Sequence, residues 1–288
     1  MYASPREVIV KIGLIAGAGE LPQCVVSAVI EAGHPLFVAA LEGYEPPRGH
    51  NPDTESFGIA EFGRMTKTFR RHDCTHVCFA GHVERPDFQA LKPDLKGLKK
   101  LPGAIKAARL GDDNLLQYVM AAYEDEGFVV ISPQELCKDS LLPAGAITTK
   151  ALTQSHRDDA EKACRIALNI GELDIGQGAV VCDGLVLAVE AQEGTDRMLE
   201  RVANLSPNLI GTTSQRRGVL AKMLKPGQDD RIDLPTIGPR TIELAGKAGL
   251  AGIVCEAGKA FIMSKDKAVS LADELGLFVV GLPPKDHD

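Results

Sequence analysis

Residues Val8 to Ala16 are apolar except for Lys11 and Gly13, and they lead straight into Gly17-Ala18-Gly19-Glu20-Leu21-Pro22. An unbroken apolar stretch of strand length suits a strand buried on both faces, and such strands belong to parallel sheets covered by helices. A helical pattern follows to Ala32. Strand, glycine loop and helix together open a nucleotide-binding βαβ unit: the glycines let backbone approach a phosphate, and the helix N-terminus turns its free amides toward it. The fingerprint is incomplete, because the third, helix-packing glycine is missing from its usual place. A tight turn that needs small residues accounts for the loop as well as a ligand does. Glu42, about twenty residues further on and past a strand at Leu36 to Ala40, is placed for a ribose contact.

The next segments continue the α/β pattern. Arg64 to His72 predicts a helix and Thr75 to Ala80 a third strand, which ends in Gly81-His82-Val83-Glu84-Arg85-Pro86. In open α/β sheets ligands gather outside the carboxyl ends of strands, so Gly81, His82 and Arg85 share a rim with Gly17 to Leu21. Arg85 suits a phosphate by its fork of donors, or a salt bridge that fixes the loop. His72, Cys74, His76 and Cys78 alternate, but along one strand they spread over about 20 Å, too far for one tetrahedral zinc. Leu91 to Leu110 carries Lys92, Lys96, Lys99, Lys100, Lys106 and Arg109 against one acid, Asp94. That segment reads as a solvated helix face, with an anionic lipid surface as the other reading. A helix from Gly111 to Glu126 and a strand at Phe128 to Ile131 follow. Ser132 to Lys150 has no clear periodicity and reads as the connection between domains.

The second half is arranged around Gly178 to Asp196. Asp183-Gly184 between two apolar runs is a strong hairpin signal, since both central residues of its turn need positive φ. Leu185, Leu187 and Val189 alternate with Val186, Ala188 and Glu190, and the strand runs into a carboxylate-rich loop. Glu190, Glu193 and Asp196 fall within seven residues there. Carboxylates gathered at the end of a buried hairpin repel one another unless a cation joins them, and a hard divalent ion is a candidate. Thr195 reads as a cap for the helix that follows. Further on, Arg216, Arg217, Lys222 and Asp233 are expected at one edge of the domain. Pro235 favours extended backbone before it, and Thr236 is expected to cap a helix from Ile237. A lone carboxylate beside a helix N-terminus suits phosphate chemistry.

Composition narrows the classes. The chain has 288 residues, 44% of them apolar, enough for two domains with separate cores. A formal charge of -7 with no basic tail, no Trp and 5% aromatics argues against nucleic-acid binding. Seven scattered cysteines suggest free thiols in a reducing compartment. With no membrane-span run and no signal-peptide pattern at the first ten residues, a cytoplasmic location is expected.

Specific segments resemble a known family. LIAGAGELP at 14 to 22, FAGHVERPDF at 79 to 88, GDDNLL at 111 to 116, LDIGQGAVVCDGLVLAVEAQEGTD at 173 to 196, RIDLPTIG at 231 to 238 and GLAGIVCEAG at 249 to 258 are similar to the UDP-2,3-diacylglucosamine pyrophosphatases of the LpxI family. These act in lipid A biosynthesis in Gram-negative bacteria. The resemblance implies an α/β fold: an N-terminal Rossmann-like parallel sheet domain, a C-terminal mixed α/β domain and a substrate chamber between them. On this reading 1–135 is the nucleotide-binding domain, 136–150 the linker and 151–288 the catalytic domain. The implied reaction is hydrolysis of UDP-2,3-diacylglucosamine to UMP and 2,3-diacylglucosamine 1-phosphate, by water attack on the α-phosphorus. The essential aspartate of the DLPTIG motif corresponds to Asp233, with Lys222 beside it in catalysis. Mg2+ or another divalent cation is expected, with Asp233, Glu190, Glu193 and Asp196 as ligand candidates. Gly17, Ala18, Gly19, Glu20, Leu21, Gly81, His82, Arg85, Gln192, Gly194, Thr195 and Thr236 are the substrate-binding candidates. Peripheral contact with the cytoplasmic face of the inner membrane and a homodimer complete the expectations. An NAD(P)-dependent oxidoreductase and a non-catalytic nucleotide-sugar or lipid-binding protein remain as alternatives.

Overall fold

The computed structural model describes residues 10–227 and 234–283, and the chain divides into two compact units between Lys138 and Asp139. The first unit begins with β1 (Ile12–Ala16), α1 (Leu21–Glu31), β2 (Leu36–Leu41), β3 (Asp53–Phe57), α2 (Phe62–Arg71) and β4 (His76–Ala80). It continues with α3 (Leu95–Ala108), α4 (Asp112–Asp125), β5 (Val129–Ile131) and the short α5 (Pro133–Leu136). All five strands are parallel, in the order β3-β2-β1-β4-β5. The chain order reverses between β1 and β4, so their carboxyl ends form the switch point at which open α/β sheets bind ligands.

Burial on both faces explains the apolar strands. Every residue of β1 and β2 is buried. One face is filled by an aromatic cluster in which Tyr123 meets Phe62, Phe69, Phe79 and Phe128 at centroid distances of 4.9 to 6.3 Å. Gly13 lies against that cluster; a Cβ there would sit 2.8 Å from the Phe69 ring. The sequence reading missed β3, because Asp53-Thr54-Glu55-Ser56-Phe57 is polar except at its end. It is an edge strand with only one neighbour, and only Phe57 is fully buried.

The second unit starts inside the stretch read as a connection. Leu141 bridges to Phe261, and β6 (Gly145–Ala146) pairs antiparallel with a distant strand. The chain continues through α6 (Gln154–Glu172), β7 (Gly178–Cys182), β8 (Leu185–Val189), α7 (Gly194–Ala203), β9 (Val219–Lys222), β10 (Thr236–Ile237) and α8 (Pro239–Lys247). It closes with β11 (Gly252–Glu256), β12 (Phe261–Ile262), α9 (Lys265–Leu275) and β13 (Phe278–Leu282). The mixed six-stranded sheet has the order β6-β13-β11-β9-β7-β8, and β10 pairs with β12 in a separate parallel pair.

Strand alternation assigns the two faces of this sheet. Val180, Leu220, Ile253 and Val279 pack with Met198, Leu199, Ile242 and Ala272 from α7, α8 and α9. Their neighbours Val181, Val219, Ala221 and Val254 pack on the other face against Ala160, Ala163 and Ala167 of α6, whose small side chains admit a close approach. The β7–β8 hairpin turns as expected, with φ of 50° at Asp183 and 78° at Gly184. The alternation of β8 is not continuous, because the register slips between Val180 and Val181, so Leu185 and Val186 both face solvent while Ala188 is buried.

Two carboxylates fix local structure. Asp159 of α6 is buried and accepts from the amides of Asp183 at 2.8 Å and Gly184 at 2.7 Å, holding the hairpin turn on the helix. Asp159→Ala leaves both amides without that acceptor; we expect a loss of about 2 kcal/mol, read from the urea midpoint. Glu126 joins Lys96 of α3 at 2.7 Å and Arg70 of α2 at 2.6 Å. Lys96, then Arg70, hold its carboxyl below the usual carboxylate range. Its contribution is therefore complete above the unfolded value of about 4.3 and is lost as pH falls through the lower folded value. Glu126→Gln should cost about 0.5 to 1 kcal/mol at neutral pH and progressively less in acid, a trend that denaturation at several pH values will test.

Candidate active site

In the first unit the two predicted loops meet. Gly17 donates to the Ala80 carbonyl at 2.9 Å, and Ala18 and His82 exchange amide hydrogen bonds at 2.8 and 2.9 Å. The glycines are required by this contact. A Cβ at Gly17 would lie 2.6 Å from the His82 oxygen, and one at Gly81, where φ is 93°, would lie 2.5 Å from the Ala18 oxygen. Gly17 and Gly81 are thus accounted for by packing. Gly19 and Glu20 are exposed beyond them at the start of α1, where no side chain caps the helix. Its first amides are suited to an anion. Arg85 is engaged in holding its own loop: it donates to the Ala108 carbonyl at 2.6 Å and pairs with Asp112 at 3.3 Å. Glu42 and His82 are exposed on the same rim.

The alternating His and Cys residues do not gather. Cys74 and Cys78 are buried, and burial pushes the Cys74 thiol up to about 11, away from the thiolate a metal needs. Among the described residues no group of three or more His, Cys, Asp or Glu is arranged to hold a metal.

The second unit carries the denser chemistry. Strands β8, β9, β11 and β13 run in one direction, so Glu190, Lys222, Glu256 and Leu282 all stand at one end of the sheet. Lys222 pairs in register with Gly178 of β7, and the Glu190 amide continues the ladder by donating to the Gly178 carbonyl at 2.8 Å. Glu190, Gly178 and Lys222 are therefore one row, with the two charged side chains about 10 Å apart at the backbone and a glycine between them. Both are nearly inaccessible, at 6% for Glu190 and 5% for Lys222. A Cβ at Gly178 would lie 2.5 Å from Glu190 Oε2, so the missing side chain is what lets the carboxylate lie over the strand.

Among the described residues each of the two side chains has one hydrogen-bond partner. Lys222 Nζ donates to the Thr236 carbonyl at 3.0 Å. Thr195 Oγ1 donates to Glu190 Oε1 at 2.9 Å, while Glu190 Oε2 is buried without a hydrogen-bond partner among the described residues. A buried carboxylate oxygen in that condition is costly unless a cation or water completes it. Helices α7 and α8 both begin at this end of the sheet without side-chain caps, and their positive ends favour an anion.

Several expectations are corrected here. Thr195 is not a cap, since α7 already starts at Gly194; its hydroxyl serves Glu190 instead. Thr236 lies in β10, and α8 begins only at Pro239, where proline suits the first helical turn. Arg216 and Arg217 stand at the opposite end of β9 from Lys222. Arg216 donates to the Gly246 carbonyl, and Arg217 pairs with Asp183 at 2.5 Å, buttressing the hairpin turn. The acidic loop does not converge. Glu193 is held below the usual carboxylate range by its own amide and by Arg201, which it meets at 2.7 Å. Asp196 faces Arg240 at 3.6 Å, and Gln192 is exposed. Asp233 lies outside the described residues. Gly178 was missed by sequence reasoning, although a glycine at a strand's end, within a buried apolar run, is a recognised sign of close approach.

The comparisons with known proteins follow this geometry. The model of the LpxI N-terminal domain matches residues 11–140, and that of the LpxI C-terminal domain matches 143–280. The chain is 49% identical over 277 residues to the UDP-2,3-diacylglucosamine pyrophosphatase LpxI of Caulobacter vibrioides, spanning 96% of this chain and 99% of that one. Among solved structures, the precorrin-6A reductase CobK aligns over 95% of this chain and 88% of its own at 12% identity, with a TM-score of 0.34. A likeness that weak carries no argument about fold or function. The two family matches in sequence order and the full-length relative place the chain in the LpxI family.

Proposed function

We propose that this protein hydrolyses UDP-2,3-diacylglucosamine to UMP and 2,3-diacylglucosamine 1-phosphate in lipid A biosynthesis. The observation that carries the reading is the end-to-end identity with a relative named for that substrate. The Glu190–Gly178–Lys222 row supplies chemistry that suits it.

Breaking a pyrophosphate needs charge neutralisation and an oriented water more than covalent help. Lys222, held by the Thr236 carbonyl, brings a buried cation toward the phosphates, where low solvent access strengthens its effect. Asp233, carried over from the family motif, is assigned to orient the water and take its proton as the α-phosphorus is attacked. The open amides at the starts of α7 and α8 suit the remaining phosphate charge. Gly19 to Leu21, at the switch point of the first unit, are assigned to the nucleotide.

A divalent cation fits the donor set in part. Glu190 Oε2 is a hard oxygen donor lacking a partner among the described residues, whereas Glu193 and Asp196 are engaged with Arg201 and Arg240. Glu190, with Asp233, would hold Mg2+, and the bound ion would neutralise phosphate charge and make the water more acidic.

Incubation with UDP-2,3-diacylglucosamine and magnesium in ¹⁸O-water should place the label in UMP. Label in the sugar phosphate would move the attack to the other phosphorus, and saturable binding without turnover would mean a binding protein. Lys222→Met should lower kcat by about 100-fold or more with little change in KM. Glu190→Gln keeps an acceptor for Thr195 and should raise the half-saturating magnesium concentration about tenfold or more; an unchanged magnesium dependence would remove Glu190 from the ligand set.

A further inference from the structure

Helix α3 presents an unusual face to solvent. Leu95 is 83% exposed and Leu98 57%, with Leu110 just past the helix end at 68%. Lys99, Pro102, Lys106 and Arg109 are exposed on the same side, at the three- and four-residue spacing that forms one stripe of a helix. Only Gly97 and Ala108 of this helix are buried.

The cations of this segment divide into two groups. Lys96 and Lys100 turn to Glu126 and Asp125, at 2.7 and 3.0 Å. Lys92, Lys99, Lys106 and Arg109 have no ion pair among the described residues. The one acid within the 91–110 segment, Asp94, is engaged in capping α3: it accepts from the amides of Gly97 at 2.7 Å and Arg64 at 2.6 Å. An open groove of about 610 Å3 adjoins the stripe between α2 and α3, where Lys67 and Leu95 lie with Asp94 and with Arg64, Arg70 and Lys96, which carry ion pairs. In a chain with net charge -7, this surface is cationic and apolar together.

We propose that the α2–α3 face docks on an anionic phospholipid bilayer. Leu95 and Leu98 enter the headgroup region while Lys67, Lys99, Lys106 and Arg109 meet lipid phosphates. Charge complementarity selects this occupant: unpaired cations repel a second copy of the same face, whereas exposed leucines gain nothing from a small soluble anion. The inference goes beyond the hydrolase reading and stands if that reading falls.

The test is co-sedimentation of the full chain with vesicles of phosphatidylcholine alone, or with about 30% phosphatidylglycerol, at about 0.1 M salt. Binding is expected only to the anionic vesicles and should weaken as salt rises. Lys99→Glu with Lys106→Glu should reduce partitioning about tenfold or more, and Leu95→Ser with Leu98→Ser several-fold. Lys267→Glu, at an exposed position of α9, should leave it unchanged. Thermal midpoints of the variants should match the wild type, since every altered side chain is exposed. Equal binding to neutral vesicles, no binding, or equal loss with Lys267→Glu would overturn the proposal. So would an α3 variant that changes the molar mass in light scattering without lipid, which would make the face a contact between copies.

Discussion

The chemistry of the second unit depends on a glycine that separates two buried charges. Glu190 and Lys222 stand on strands either side of β7, in the row that Gly178 occupies, and the carboxylate uses the space where a side chain would be. Removing a carboxylate and an ammonium from water is expensive, and the protein offsets part of that through Thr195 and the Thr236 carbonyl. One carboxylate oxygen is left without a partner among the described residues. Stability alone gives no reason for such a row, because an apolar pair of similar volume would cost less.

The rest of the unit holds that row in place. Faces of opposite apolar character pin the register of the sheet: a slip of one residue would drive Leu220 and Ile253 away from α7 and α8 and turn Lys222 toward α6. The hairpin that delivers Glu190 is fastened at its far end by Asp159 and Arg217. Arg217 and its neighbour thus act at a distance from the chemistry. In the first unit, glycines play a different part. Gly17 and Gly81 let two loops lock together at the switch point, and the lock presents Gly19 and Glu20 at the start of α1.

Helix α3 shows the reverse economy. A helix of a globular domain ordinarily hides its leucines, yet here Gly97 and Ala108 face inward and Leu95 and Leu98 outward. Lys96 and Lys100 are neutralised by Glu126 and Asp125, whereas Lys99, Lys106 and Arg109 have no ion pair among the described residues. No described helix is long and apolar enough to cross a membrane, so any lipid contact made through this helix is peripheral.

Much of the architecture was legible in the sequence because it rests on short-range periodicity. The unbroken apolar run of β1, the Asp183-Gly184 turn and the helical patterns of α1 and α4 each dictate their own geometry. The strands that were missed, β3, β6 and β10, are short or polar and exist only through a neighbour distant in sequence. The site divides in the same way. Local sequence marked Glu190, Lys222 and the glycine loops as chemically unusual, and the resemblance added Asp233. Only tertiary structure decided that Glu193 and Asp196 turn to arginines, that Arg85 and Arg217 are struts, and that Thr195 serves a carboxylate rather than a helix end. The physical reason is that a side chain's residue type fixes what it can bond, while the strand register and helix placement around it decide which partner lies within reach.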